Sequence, residues 1–226
     1  MATKRSKLLL GILMILLGLG SITAGILWAI YNVRDDYQAS EAVASALVGI
    51  DQHLESVGTR DAIVPEIDTD GSYTPPPEED LPEYLLHPDM PMPTIEIDGH
   101  RYIGTVSIPV LGLELPVMET WSNAKLKRSP CCYSGSVYMR NIIIAAHNYP
   151  VMFRNLKELQ VGDEVMFTDI DGNIFHYQVI ETTTIEQTHV EEMMSGDWDL
   201  TLFTCATGGI SRVTVRCMLM DVSERS

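Results

Sequence analysis

Three residues in the C-terminal half of the chain have side chains that could act together on an acyl group. Cys205 closes the apolar run Leu200-Thr201-Leu202-Phe203-Thr204 and precedes Ala206-Thr207-Gly208-Gly209, which places a thiol at an accessible strand end, where a nucleophile belongs. His147 follows a second apolar run, Ile142-Ile143-Ile144-Ala145-Ala146, and precedes Asn148 and a loop at Tyr149-Pro150. Arg212 opens Val213-Thr214-Val215 seven residues past Cys205, so a short loop would fold it back toward the sulfur. Singly, each has an ordinary explanation: a packed cysteine, an incidental histidine, a strand-edge arginine. Together they supply a thiol, an imidazole to exchange its proton, and a permanently charged fork of donors for a developing oxyanion. Acyl transfer needs those parts.

The elements that must position them are short and β-rich. Runs at Tyr102 to Ile108, Leu113 to Val117, Ser136 to Val137, Asn141 to Ala145, Glu164 to Thr168, Ile174 to Thr182, Leu200 to Thr204 and Arg212 to Met220 are separated by turn signals. Asp171-Gly172 reads as a hairpin turn rather than part of a calcium loop, and one short helix is predicted near Phe153 to Leu159. A compact barrel or sandwich follows. Alternation along the last strand makes Cys217 an inward thiol and leaves Arg216 as a strand-surface arginine whose replacement by lysine is expected to be mild. The four cysteines, Cys131, Cys132, Cys205 and Cys217, allow three disulfide pairings if all are oxidised. Adjacent Cys131 and Cys132 are poor partners for each other and for a tetrahedral zinc site. The order His before Cys excludes the papain arrangement, and Cys205 lacks the local caspase motif.

Leu200-Thr201-Leu202-Phe203-Thr204-Cys205 resembles the LTLxTC signature of the sortase family, and Ile143-Ile144-Ala145-Ala146-His147-Asn148 is similar to the sortase strand ending in Gly-His-Asn or Gly-His-Arg. Arg212 before Val213-Thr214-Val215 matches the arginine that opens the last sortase strand. Gly104 to Pro109 resembles the first strand, and Leu156 to Asp163 the helix and following turn. The resemblance spans about residues 100 to 220. Ala146 in place of the usual glycine and the short loop from Cys205 to Arg212 depart from the pattern. The Asn148 context points to class B and the short loop to class A or D, so the subclass stays open.

What the resemblance implies is a closed eight-stranded β-barrel with short helices and a cysteine transpeptidase on the surface of a Gram-positive bacterium. Cys205 would attack an LPxTG-like sorting signal to give a thioester, with His147 as acid and base and Arg212 holding the oxyanion. Thr204 and Asn148 would contact substrate, and the acceptor would be an amine such as a peptidoglycan precursor. A pilin-polymerising sortase is the alternative within the family, but His87-Pro88-Asp89-Met90-Pro91 lacks the aromatic of the usual lid motif. A membrane-tethered binding module with all cysteines in disulfides is the alternative from another class. No cofactor or metal is expected, and Glu191, Glu192, Asp197 and Asp199 read as a solvated acidic loop rather than calcium ligands.

Ahead of this domain, Leu8 to Tyr31 carries no charge and is long enough to cross a bilayer. Lys4, Arg5 and Lys7 precede it while Asp35 and Asp36 follow Arg34, which predicts a single-pass protein with a cytoplasmic N-terminus. Trp28 and Tyr31 suit interfacial anchors, and the run is longer than a cleaved signal would need. The expected organisation is a basic N-terminus and anchor over 1–33, an extracellular amphipathic helix over 34–58, an acidic linker over 59–95 and the catalytic domain over 96–226. The linker holds eight of the twelve prolines and nine acids against one arginine, so it reads as an extended spacer, with Tyr84, Leu85 and Leu86 as the residues that could dock as a lid. A domain that begins after residue 95 is expected to fold alone. The chain has 15 basic and 31 acidic residues, a charge of −16 that leaves no basic stripe and excludes nucleic acid as a partner.

Overall fold

The computed structural model describes residues 4–57, 82–186, 189–205 and 211–224. Among the described residues nine strands form one sheet: β1 (Ile95–Ile97), β2 (His100–Ile108), β3 (Leu113–Met118), β4 (Cys131–Ser134), β5 (Ile142–Ala146), β6 (Glu164–Asp169), β7 (Asn173–Glu186), β8 (Leu200–Cys205) and β9 (Ser211–Glu224). Their order is β1-β2-β3-β4-β5-β8-β9-β7-β6, and β2 also pairs with β6. That last pairing, Gly104↔Asp169 through Ser107↔Met166, closes β2 to β9 into a ring of eight strands. The expected barrel is this ring, and β1 is an appendage that pairs with β2 through residues 100 to 102.

At the closing junction β2 and β6 come close at a glycine. Gly104 has φ +149°, and a Cβ there would stand 2.1 Å from the Thr168 carbonyl oxygen. Across the same junction the buried Asp169 accepts hydrogen bonds from Tyr138 Oη (2.8 Å), from Asn173 Nδ2 (2.8 Å) and from the backbone N–H groups of Asp171 and Asn173 (3.0 and 2.9 Å). Those four donors pin the β6–β7 turn that Asp171-Gly172 predicts. Burial nevertheless raises the Asp169 pKa, the hydrogen bonds opposing it.

Alternation fills the barrel. Ile142, Ile144 and Ala146 of β5, Leu200 and Leu202 of β8, and Val213, Val215 and Cys217 of β9 share the central core with Val106, Phe167 and Phe175. The sequence places a strand at Ser136-Val137, but the strand is Cys131–Ser134 and the chain turns where the strand was expected. Gly135 has φ +78° with the Asn141 carbonyl 2.1 Å from where a Cβ would be, and Asn141 Oδ1 accepts from Ser136 N at 3.0 Å. The predicted helix near Phe153 is a 3-10 segment, Phe153–Glu158.

The helix expected over 34–58 is the C-terminal part of α1 (Lys4–Val57). Residues from Ala39 onward form one compact unit with the barrel, and those up to Gln38 form another. Ala39 and Val43 enter the central core, while Ala46, Ile50 and Leu54 pack with Tyr102, Met118 and Ile170. Ser45 Oγ donates to Asp98 Oδ2 at 2.9 Å, and Gly49 lets α1 approach β1 so closely that a Cβ would lie 2.6 Å from Ile97 Cδ1. The compact unit therefore begins well before residue 96, because the apolar stripe of this helix is buried by the barrel rather than left on a stalk.

Of the expected linker, residues 59–81 lie outside the described residues. Its last part is docked: in α2 (Glu83–Leu86) the Tyr84 ring stacks on Tyr138 at 4.8 Å and 11°, and Met90 and Met92 pack on the core. Tyr84 also meets Phe175, near the start of β7, whereas Ile185 at the other end of β7 pairs with Arg212. This segment is an ordered strap at the end of β7 away from Arg212.

Candidate active site

Strands β5, β8 and β9 are neighbours, and their register brings the three predicted residues to one end of the sheet. β5 runs parallel to β8 with Ala146 opposite Thr204, so His147 is the first residue beyond that pair. β9 runs antiparallel to β8 with Arg212 opposite Cys205. Residues separated by more than fifty positions in sequence thus become cross-strand neighbours.

The sheet has two faces at this end. Ile143 and Ala145 of β5 and Phe203 of β8 form a separate apolar cluster with Ile185 and Met193, outside the central core. Position 205 continues the face of Thr201 and Phe203. Arg212 lies with its Cζ 5.6 Å from the centroid of the Phe203 ring, which supports the guanidinium on the same face. The half-buried His147 has the Tyr149 ring 5.0 Å away, and its carbonyl accepts from Phe153 N at 3.3 Å, tying the loop to the 3-10 segment. Asn148 is also half-buried, with Oδ1 out of solvent and without a hydrogen-bond partner among the described residues, so it can accept from an incoming donor. Thr204 has the opposite parity and is buried, with Oγ1 out of solvent and without a hydrogen-bond partner among the described residues.

Cys131, Cys132 and Cys217 are free thiols, which removes the arrangement with every cysteine in a disulfide. Burial pushes Cys131 and Cys217 up to about 12 and Cys132 up to about 11. Thiols held that high are protonated at neutral pH and are poor nucleophiles.

Arg216 departs from its expected surface role. It is buried, donates from Nη1 to the Ser195 carbonyl (2.8 Å) and from Nη2 to the Glu192 carbonyl (2.7 Å), and stacks over Trp198 at 5.3 Å. It fastens α4 (Val190–Met194), the α-helix that follows α3 (Asn123–Leu126) along the chain, to β9. The acidic segment is also less solvated than expected, because Asp199 is buried, receives both Nε and Nη2 of Arg140 at 2.9 Å, and accepts from Leu219 N at 2.7 Å. Among the described residues no group of three metal-ligating side chains converges. Tyr149 beside His147 and Phe203 beneath Arg212 are not singled out by the sequence reading, although the alternation in Leu200 to Cys205 already places Phe203 on the face of position 205.

Fold and site together define a closed mostly-β protein with a histidine, a cysteine and an arginine at one sheet end. The Sortase domain matches residues 106–220, just over half of the chain, and the chain belongs to the sortase family. It is 27% identical over 120 residues to Sortase A of Listeria monocytogenes serovar 1/2a, covering 48% of this chain and 51% of that protein. It is 29% identical over 118 residues to Sortase A of Bacillus anthracis, covering 49% and 55%. The chain thus spans about half the length of the curated relatives it matches. In fold it is similar to Listeria monocytogenes sortase A (TM-score 0.50, 22% identity, 55% of this chain and 91% of that one). It is equally similar to Streptococcus pneumoniae Sortase C (TM-score 0.50, 23% identity, 58% and 74%).

Proposed function

We propose that this chain is a membrane-anchored cysteine transpeptidase of a Gram-positive cell surface, acting on secreted proteins that carry an LPxTG-like sorting signal. The observation that carries this reading is the register that sets Cys205 opposite Arg212 with His147 one residue past the Ala146–Thr204 pair. Sortase family members are cysteine transpeptidases. The Cys205 thiolate attacks the carbonyl carbon of the scissile Thr-Gly bond, and the carbonyl electron pair moves to an oxyanion that Arg212 holds. The C–N bond breaks as His147 gives its proton to the leaving amine, and a thioester remains. An acceptor amine, for example that of a peptidoglycan precursor, gives a proton to His147, attacks the thioester carbonyl and releases the thiolate.

The raised pKa values of the other three thiols support Cys205 as nucleophile by elimination. The helix near the N-terminus, long and apolar enough to cross a membrane, supports membrane anchoring, and Lys4, Arg5 and Lys7 ahead of it support a cytoplasmic N-terminus. The test is to incubate the full chain in detergent micelles with a panel of sorting-signal peptides and to look for the acyl-enzyme by intact mass. A thioester that maps to Cys205 and passes to an added amine is expected. No adduct with any peptide, or an adduct retained by Cys205→Ala, overturns the reading.

A further inference from the structure

The β9 strand carries two arginines on one face, Arg212 and Arg216, and only Arg212 enters the chemistry proposed above. We infer that Arg216 is a positioning residue that holds α4 as a wall of the substrate groove, an inference that rests on the transpeptidase reading. A buried guanidinium must have its donors occupied, and here they bind the rest of the molecule to one segment. Nη1 and Nη2 take the carbonyls of Ser195 and Glu192, Nε lies 3.4 Å from Glu181 Oε2 on β7, and the planar group covers the Trp198 ring. Both carbonyls belong to the end of α4, where unpaired C=O groups collect and a cation is favoured.

What this clamp delivers is Met193. It lies between the two carbonyls in sequence, is 1% exposed, and packs with Ile143, Ala145, Ile185 and Phe203. Phe203 is two residues before Cys205 and carries Arg212 over its ring. A line of contact therefore runs from Arg216 through α4 and Met193 to Phe203 and Arg212, at the sheet end that also carries positions 147 and 205. Met193 is thus the buried seat of α4 on the sheet, and an extended peptide that reaches position 205 along this face must pass α4. Arg216 touches none of the reacting groups, so its loss acts on binding of the peptide rather than on the bond-making step. Lysine keeps the charge but is a point donor that cannot reproduce the planar fork over two carbonyls.

The experiment uses the full chain in detergent micelles with Arg216→Lys, Glu181→Gln and Met193→Ala. A Glu-specific protease reads the wall without reference to activity, through cleavage after Glu191 and Glu192. For Arg216→Lys this cleavage is expected to quicken about tenfold, with KM for the sorting-signal peptide up about tenfold, kcat within about twofold, and iodoacetamide alkylation of Cys205 unchanged. Glu181→Gln keeps both carbonyl contacts and should behave as the native chain. Unchanged cleavage in Arg216→Lys overturns the clamp, and faster cleavage with unchanged KM overturns its role in the groove. If Arg216→Lys does not fold, Met193→Ala must raise KM by itself, and an unchanged KM there overturns the inference. A native chain that forms no thioester overturns the transpeptidase reading instead, and the cleavage rates then decide whether Arg216 holds α4.

Discussion

A thiol reacts as its anion, so burial sorts the cysteines of this chain by reactivity before any substrate is considered. Cys131 and Cys217, at about 12, have a thiolate fraction at pH 8 of roughly one in ten thousand or less. Brief iodoacetamide treatment of the native chain at that pH should label Cys205 alone, with the other three following only in denaturant; peptide mapping by mass reads the result. The same shifts link stability to alkali. Unfolded cysteines lose their protons above about 9 while the buried ones keep theirs, so the folded state binds more protons and stability falls as pH rises. The contribution is fully present below about 9 and lost as pH rises toward about 12, with a slope of about 1.4 kcal/mol per pH unit for each group. Urea midpoints at pH 8, 9.5 and 10.5 should therefore fall, and fall less in Cys217→Ala. Arg212→Lys should keep the fold and lose about a hundredfold in acylation, since the planar pair of donors goes while the charge stays. His147, Cys205 and Arg212 were legible because each ends or opens an apolar run. Arg216 was not, since strand alternation fixes only which face a residue occupies. Its burial depends on α4, whose path no local pattern sets.

At the scale of elements, the helix that follows the membrane segment is the part whose role differs most from a sequence reading. Its spacing, with Ala39, Val43, Ala46, Ile50 and Leu54 in one stripe, announces an amphipathic helix but does not say what covers the stripe. Tyr102, Met118 and Ile170 cover part of it, and they come from β2, β3 and the turn after β6. A chain that starts at residue 96 loses this helix and exposes the Tyr102, Met118 and Ile170 side chains it packs on, so it should express poorly or unfold in little urea, whereas a chain starting at residue 34 should fold cooperatively. Within the full chain, Ile50→Ala should cost about 2–5 kcal/mol, because a fully buried aliphatic side chain is replaced by a cavity. Denaturant titration of the three proteins checks both statements, and a stable fold for the chain from residue 96 would show the helix to be dispensable. The strands were legible where apolar alternation was clean, as in β5, β8 and β9. Ser136-Val137 misled because local β-propensity is outweighed there by Gly135 at positive φ and by the Asn141 side chain on Ser136 N–H, which together make a turn.

For the whole molecule, charge is divided in a way that bears on where the barrel stands. The three basic residues Lys4, Arg5 and Lys7 precede the apolar part of α1, and the acidic pair Asp35 and Asp36 follows it. Insertion favours the flank richer in Lys and Arg on the cytoplasmic side. The barrel would then face outward, where secreted proteins and amine acceptors are found. The proposed chemistry requires that side, because a sorting signal reaches Cys205 only after its carrier has crossed the membrane. Replacing Lys4, Arg5 and Lys7 with glutamate removes the bias without touching a barrel residue, and adding two lysines after Val33 reverses it. The expected outcome in intact cells is that protease added outside degrades the barrel of the native chain and leaves it protected in the reversed variant, while both proteins, once solubilised, acylate a sorting-signal peptide at equal rates. Equal protease exposure of the two would mean that orientation is set by something other than these flanking charges, and unequal acylation after solubilisation would mean that the N-terminal substitutions reach the site itself.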